Sequence, residues 1–418
     1  MTKSMFRVLG VVASLVVAGA AMGQAGPVIA WGRNLKGQCS IPVNLGACNQ
    51  IAAGAWGTAA IKKDGTVVVW GSNDSGQCNV PSTLGACLQV DIGGDWEGHV
   101  AVIKNSGIVF AWGRNNLGQA IVPTGLGICK QIATGYFFTL VLKNDGIVQG
   151  WGDNSYGQCS VPSSLGACSQ ISAGDDNAMA LNLSGTVNAW GRNQFSQCSV
   201  PSSLGQCMKI ASGPNTMATI NTSGIVTAWG RNEYGQCNVP TTLQKCIDLA
   251  ITFGSVIALQ ANGTVVGWGD NTWGQTSIPI NLGSCSAIAA GWDHVVAIQL
   301  DCNQNGVADV DEILSGSVTD INANGIPDSC DVVSGLLNDY NHNGIADSTE
   351  LVKVTEQLAI VTAQLQCGDL DGSGDVGSED LGMLLLNYGQ CEGASLTTAQ
   401  EPLIFQSVET TSPVLNKK

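Results

Sequence analysis

The feature that most constrains this chain is a Trp-Gly pair that returns at Trp31, Trp70, Trp112, Trp151, Trp190, Trp229 and Trp268. The spacings are 39, 42, 39, 39, 39 and 39 residues. A period near 40 kept this closely means one supersecondary unit repeated, each copy burying its apolar face against the next. A typical unit, WGDNSYGQCSVPSSLGACSQISAGDDNAMALNLSGTVNA, starts at Trp151. The 42-residue unit carries its three extra residues around Asp95 to Gly98, so a loop bulges there.

Each unit reads as four short β segments. Residues alternate through Thr66 to Trp70 and Gly185 to Trp190. Asp64-Gly65 and Asn262-Gly263 are hairpin turns, since both pairs accept positive φ. QIAAG or QISAG opens another strand, and AMAL, TAAI or VVAI a third. The stretch around Pro42, Pro81, Pro162, Pro201, Pro240 and Pro279 is a turn, because proline cannot donate to a central ladder. Gly is 54 of 418 residues, which suits many short strands joined by tight turns. A closed propeller and an open β-solenoid both fit such units. Closure favours the propeller. The unit at Trp268 ends at Leu300 without its last strand, and Gly26 to Trp31 supply a matching orphan. That strand would complete the last blade and remove both free edges. The expected fold is all-β: a seven-bladed β-propeller over 26–300 closed by an N-terminal strand, plus a small C-terminal module of calcium loops and helices.

The pattern AWGxNxxGQCxVPxxLGxC, followed by IAAG and VVAIxxDGTVVAWG, resembles the repeats of the regulator of chromosome condensation superfamily. It is most similar to the bacterial branch typified by beta-lactamase inhibitory protein II. The resemblance covers about 26–300. It implies the propeller fold and a protein-binding role through loops on one face. Eukaryotic nuclear members act on a small GTPase and bind chromatin, and a neutral, exported, cysteine-rich propeller matches neither setting.

Export is read from the front. Lys3 and Arg7 precede an apolar run from Val8 to Met22 and small residues up to Ala25. This is a secretory signal peptide over 1–25. The run is about 15 residues, short of the roughly 20 that span a bilayer. The expected location is secreted, at the cell surface or in the envelope, with no membrane span. Gly26 to Leu300 hold 12 basic and 13 acidic residues, whereas Asp301 to Lys418 hold 3 and 19. The neutral front is no footprint for nucleic acid.

Cysteines follow the repeat. Cys39/Cys48, Cys78/Cys87, Cys159/Cys168, Cys198/Cys207 and Cys237/Cys246 each stand nine apart, and five intrablade disulfides are expected. Closing such a loop is worth roughly 2.7 kcal/mol in the chain-entropy model. Ala120 and Thr276 replace the first cysteine in two units, leaving Cys129 and Cys285 as buried thiols.

Function is sought where the repeats differ. Beyond Gly54, Gly93, Gly135, Gly174, Gly213, Thr252 and Gly291 the residues vary: Trp56, then Asp95 and Trp96, Tyr136 and Phe137, Asp175 and Asp176, Asn215, Phe253, then Trp292 and Asp293. Equivalent positions of a propeller form a ring on one face. Two readings stand: an exposed recognition ring for an extracellular protein or glycan, or packing between blades. A second series, Lys36, Ser75, Leu117, Tyr156, Phe195, Tyr234 and Trp273, is expected to pack between blades. No catalytic constellation stands out. Carboxylates for polysaccharide cleavage would have to come from different blades, as Asp95 with Asp176 or Asp293.

From Asp301 the texture changes. Asp301, Asn303, Asn305, Val307 through its carbonyl, Asp309 and Glu312 take the ligand positions of a calcium loop, with Gly306 at the sharp turn. The pattern returns in Asp320, Asn322, Asn324, Ile326, Asp328 and Asp331, and in Asp339, Asn341, Asn343, Ile345, Asp347 and Glu350. A fourth loop holds Asp369, Asp371, Ser373, Asp375 and Asp380. Asx turns without an ion are the plainer alternative. Helices are expected at Val332 to Leu337, Thr349 to Leu365 and Glu379 to Asn387, with staples Cys302–Cys330 and Cys367–Cys391. Asp369 to Gly389 resembles a dockerin repeat, and the triple DxNxNGxxD block resembles thrombospondin type 3 spacers. This implies a cohesin-like or cell-surface partner. The expected layout is calcium-loop repeats over 301–350, a helix and dockerin-like loop-helix over 351–391 and a tail over 392–418. The function expected is that of a monomeric, non-catalytic, secreted binding protein with a calcium-stabilised tail for attachment or spacing. A polysaccharide lyase or hydrolase and a structural surface component are the alternatives.

Overall fold

The computed structural model describes residues 25–334. The chain falls into two compact units, residues 1–347 and 348–418, and the described part lies in the first.

Seven antiparallel sheets follow one another, each of three strands. The first comprises an inner strand Cys48–Ala53, a middle strand Gly57–Lys62 and an outer strand Val67–Gly71. The fourth segment expected in each unit is not a strand. Around the prolines the backbone turns, with Leu84 N–H bonded to Pro81 O and Leu165 N–H to Pro162 O, and carries the chain from one blade to the next. The inner strands, beginning at Cys48, Cys87, Cys129, Cys168, Cys207, Cys246 and Cys285, neighbour one another in turn, and the last returns to the first. They surround a central cavity of about 260 Å³.

The ring closes as the orphan strand foretold. Val28–Gly32 pairs antiparallel with His294–Gln299, placing Val28 opposite Ile298 and Trp31 opposite Val295. The last blade therefore joins the two ends of the repeat region.

Middle strands such as Ser255–Gln260 are buried along their whole length, since strands flank them and blades cover both faces. The core consequently lies between blades: Leu140, Leu142 and Val148 of the third pack on Ile171, Ala178 and Ala180 of the fourth. The repeated motif follows from this packing. Each Trp ends an outer strand and donates its indole N–H to the carbonyl of a repeat glutamine, as Trp70 to Gln38 at 2.9 Å and Trp151 to Gln119 at 2.9 Å. The glycine after it has no room for a side chain: at Gly71, φ is +105° and a Cβ would stand 2.4 Å from the Trp56 carbonyl oxygen. The asparagine two residues on accepts the backbone N–H five residues later, as Asn73 from Cys78 at 2.8 Å.

Beyond Leu300 the chain packs on the hairpin-turn end of the ring. Leu300 N–H bonds Ser284 O, and Lys63 Nζ donates to Gln304 at 2.8 Å. Two short helices follow, α1 Asp309–Ser315 and α2 Asp328–Ser334. The helix expected from Val332 thus begins four residues earlier, inside its loop. Cys302 and Cys330 are joined by a disulfide. Among the described residues no helix is long and apolar enough to cross a membrane.

Candidate binding face

Two sets of loops are tied together at the end of the ring opposite those helices. The residue after each Trp-Gly donates its N–H to the loop between inner and middle strands: Arg33 to Asp293 at 2.8 Å, Asp153 to Phe137 at 2.9 Å and Arg192 to Asp176 at 2.9 Å. Both variable series therefore lie on one face.

The first series does not form an open ring. Trp56 is 3% exposed and Asn215 8%. Tyr136 of the third blade stacks on Trp292 of the seventh, ring centres 5.9 Å apart, and Phe253 leans on Trp292 at 6.0 Å. Phe137 packs edge-on against Tyr136. Tyr136 and Trp292 line a small hollow at this end of the ring together with Asp175. The Trp292 indole N–H points at Asp175, 3.4 Å away, and the Tyr136 hydroxyl donates to Asp95 at 2.8 Å. Burial pushes Asp175 up to about 7, against the pull of Trp292. Of the ring, only Trp96, on the three-residue insertion, is prominently exposed at 51%.

The second series corrects the expectation of interblade burial. Leu117, Tyr156, Tyr234 and Trp273 are exposed and form an outer rim. Their inner edges rest on arginines. Arg33 lies between Trp56 and Trp273, 4.0 and 4.4 Å from the ring centres, and Trp56 stacks on Trp96 at 4.7 Å. The result is a four-layer stack with an exposed indole at each end. Tyr156 rests against Arg192, and Phe195, Tyr234 and Phe253 surround Arg231. Spacing alone marked these positions as variable; their exposure depends on which way each turn points.

The carboxylates suggested for glycan cleavage are engaged elsewhere. Asp95 pairs with Arg114 at 3.0 Å, Asp176 with Arg192 at 3.3 Å and Asp293 with Arg33 at 3.0 Å. His99 and His294 are fully buried.

The five expected cysteine pairs are not disulfides in the structure: Cys39, Cys48, Cys78, Cys87, Cys159, Cys168, Cys198, Cys207, Cys237 and Cys246 are all thiols. Each pair flanks the connection between two blades rather than lying within one. The two thiols face different carbonyls, as Cys39 that of Arg33 at 3.2 Å and Cys48 that of Gly46 at 3.5 Å. Burial pushes them up to about 11 and about 12, so neither is a ready thiolate. The first position works through its backbone N–H, which Ala120 and Thr276 supply equally to Asn115 and Asn271. Cys129 and Cys285 are buried thiols.

The first two calcium-type loops share one geometry. Asp301 accepts from the N–H groups of Asn305 and Gly306, and Asp320 from those of Asn324 and Gly325. The amides of Asn303 and Asn305 donate to Glu312, those of Asn322 and Asn324 to Asp331. Asp309 and Asp328 accept from the N–H groups of Cys302 and Ile321. One Asp309 oxygen is buried without a hydrogen-bond partner. Burial, with Asp301 and Glu312 nearby, pushes that carboxyl up to about 6. Among the described residues no three His, Cys, Asp or Glu side chains are gathered closely enough to hold an ion. The donor chemistry, alternating carboxylate and amide oxygens with one orphaned carboxylate oxygen, nonetheless fits a hard cation. Asp339, Asn341, Asn343, Ile345, Asp347, Glu350, Asp369, Asp371, Ser373, Asp375, Asp380, Cys367 and Cys391 lie outside the described residues.

Comparison with known proteins agrees with this architecture. No curated protein matches the chain by sequence. Prp20p from Saccharomyces cerevisiae is similar in structure, with TM-score 0.57 and 15% identity over 71% of this chain and 96% of its own. Human WBSCR16 gives TM-score 0.56 and 20% identity over 66% of this chain and 99% of its own. Residues 48–77, 129–158 and 168–197 match the regulator of chromosome condensation (RCC1) repeat, so these three stretches carry repeats of the RCC1 kind within a fold similar to RCC1-like propellers.

Proposed function

We propose that this chain is a non-catalytic binding protein that docks a partner protein on its aromatic face. One observation carries the reading. Among the described residues every arginine, every tyrosine and every tryptophan outside the Trp-Gly pairs lies in the loops of that face. Trp, Tyr and Arg are the residues that dominate protein docking energies. Stacked between rings, the arginines are held in place before any partner arrives, which lowers the ordering cost of association. Prp20p, of similar fold, has binding properties towards Gsp1p and histones. Export by the N-terminal segment would place the face outside the cytoplasm.

The test is a pull-down from culture or envelope material with the full chain and with a Trp96→Ala, Tyr234→Ala variant. Both side chains are about half exposed. The variant is expected to lose capture; equal capture by both proteins sinks the reading. A glycan would use the same aromatic platforms, so a polysaccharide panel run with the same two proteins separates binding of sugar, cleavage of sugar and binding of protein.

The second part of the proposal is a calcium-held tail used for attachment or spacing. Asp301, Asn303, Asn305, Asp309 and Glu312, with the Val307 carbonyl, would hold the ion in the first loop. Calcium would take the place of the asparagine N–H donors that now face Glu312 and supply the positive charge they lack. Binding would then be coupled to folding of the loops. Chelation is expected to raise protease cleavage after Leu300 and leave the blades intact. An unchanged cleavage pattern refutes it.

A further inference from the structure

The rim of the aromatic face is not uniform. Arg33, Arg114, Arg192 and Arg231 follow Trp-Gly in four blades, but Asp153 and Asp270 take that place in two. Each of these aspartates stands three residues before an exposed ring, Tyr156 at 47% and Trp273 at 42%. No cation pairs with either among the described residues. Asp153 accepts from Ser155 and from Gln158 at 2.9 Å; Asp270 accepts from Thr272 and from Gln275 at 3.1 Å.

The neighbouring arginines are already committed, Arg192 to Asp176 at 3.3 Å and Arg33 to Asp293 at 3.0 Å. Asp176 and Asp293 are pushed up by burial, against the pull of their arginines, and further by the charges of Asp153 and Asp270. The same quartet of two aspartates, one arginine and one exposed ring thus occurs twice, three blades apart, with one carboxylate in excess each time. Across all loops of this face, acidic side chains outnumber basic ones.

We infer that the rim seats a lysine- or arginine-rich segment of the partner protein, its cationic side chains lying on Tyr156 and Trp273 beside Asp153 and Asp270. This rests on the reading of the face as a docking surface. An excess carboxylate beside an open aromatic ring attracts a cation twice, through its charge and through the quadrupole of the ring. An acidic partner segment would meet like charge at both seats.

The probe is a fluorescent peptide of alternating lysine and glycine, titrated into the full chain and followed by anisotropy. A glutamate–glycine peptide is the counterpart. The key variant is Tyr156→Ala with Trp273→Ala, which leaves net charge untouched. The second is Asp153→Asn with Asp270→Asn. Both pairs sit on exposed turns, and unchanged thermal melting checks their folding. Each variant is expected to bind the lysine peptide about tenfold more weakly, and the glutamate peptide is expected not to bind the wild type. Equal affinity of the aromatic variant would assign the binding to the general negative charge of the chain and overturn the inference. So would absence of binding to the wild type. Neither result touches the docking reading, which stands or falls on Trp96 and Tyr234.

Discussion

His99 and His294 begin the middle strands of the second and seventh blades, and each reaches a threonine of the next. Nε2 of His99 lies 3.0 Å from the Thr139 hydroxyl, and that of His294 3.0 Å from Thr58. Those hydroxyls already donate to Gln119 and Gln38 carbonyls, so each histidine must donate, and Nε2 carries the proton. Burial lowers both histidines to about 4. An unfolded histidine takes its proton near 6.5, so this stability is present above that value and lost as pH falls towards 4. Asp91 and Asp175 run the other way. Burial raises them to about 6 and about 7, so their contribution is present below the ordinary carboxylate range and lost as pH rises through those values. Denaturant unfolding from about pH 4 to 7 separates the two. Relative to the wild type, Asp91→Asn with Asp175→Asn is expected to gain stability as pH rises, on the order of 2 kcal/mol across the window. His99→Gln with His294→Gln is expected to lose less stability than the wild type towards acid. Profiles parallel to the wild type in both variants would show that these groups do not titrate as their burial demands.

Neighbouring blades are clasped by a device that the repeat hides in plain view. The glutamine two residues into an inner strand bonds both ways to the next blade: Gln131 Nε2 to Ile171 O at 2.9 Å, and Ile171 N–H to Gln131 at 2.8 Å. Gln50, Gln89 and Gln170 do the same with Val90, Ile132 and Ile210. Between the fifth and sixth blades an ion pair, Lys209–Asp248 at 2.8 Å, stands instead, and Ala287 leaves the seventh without a clasp. Gln131→Ala removes two bonds and strips a buried N–H of its acceptor, an expected loss of about 2 kcal/mol in urea unfolding. Ala287→Gln is expected to gain about 1 kcal/mol. A neutral Gln131→Ala would mean that cavity water replaces the side chain fully. These elements also mark where the sequence was legible. The Trp-Gly period fixed strand order because each copy solves the same packing problem. The Tyr136–Trp292 stack joins residues of blades that are not adjacent in the chain, and no spacing within a unit encodes a contact across the axis. For the same reason the sequence leaves Trp56 open between an exposed ring and packing between blades and sets Trp273 between blades, whereas the loops bury Trp56 and expose Trp273. The cysteine pairs misled through regularity: Cys39 and Cys48 recur because a small side chain fits a turn and an interblade core, a demand that Ala120 also meets at the first position.

A ring of blades transmits every local loss to its single seam, and here the seam is a strand borrowed from the other end of the repeats. Val28–Gly32 covers the edge of His294–Gln299 and buries Trp31 against the sixth and seventh blades, where its indole N–H meets the Gln275 carbonyl at 3.0 Å. Without it the seventh sheet keeps two strands and an open edge of unpaired backbone groups, the arrangement that invites edge-to-edge association. Burial of one large aromatic ring is worth roughly 2–3 kcal/mol, and a short ladder adds about 0.5–1.5 kcal/mol per bond. The sum is comparable with the whole stability of a typical fold. The missing clasp at Ala287 sharpens the point, since the seventh and first blades meet through an apolar core and the His294–Thr58 contact without the glutamine bonds that other blades share. Removal of residues 25–32 is therefore expected to abolish cooperative unfolding and give concentration-dependent oligomers in sedimentation. A synthetic peptide spanning residues 25–34, added in trans, is expected to restore a monomer with most of its thermal stability, whereas the same peptide with Trp31→Ala is expected to fail. A truncated chain that unfolds cooperatively as a monomer would show instead that the interblade cores alone hold the ring shut.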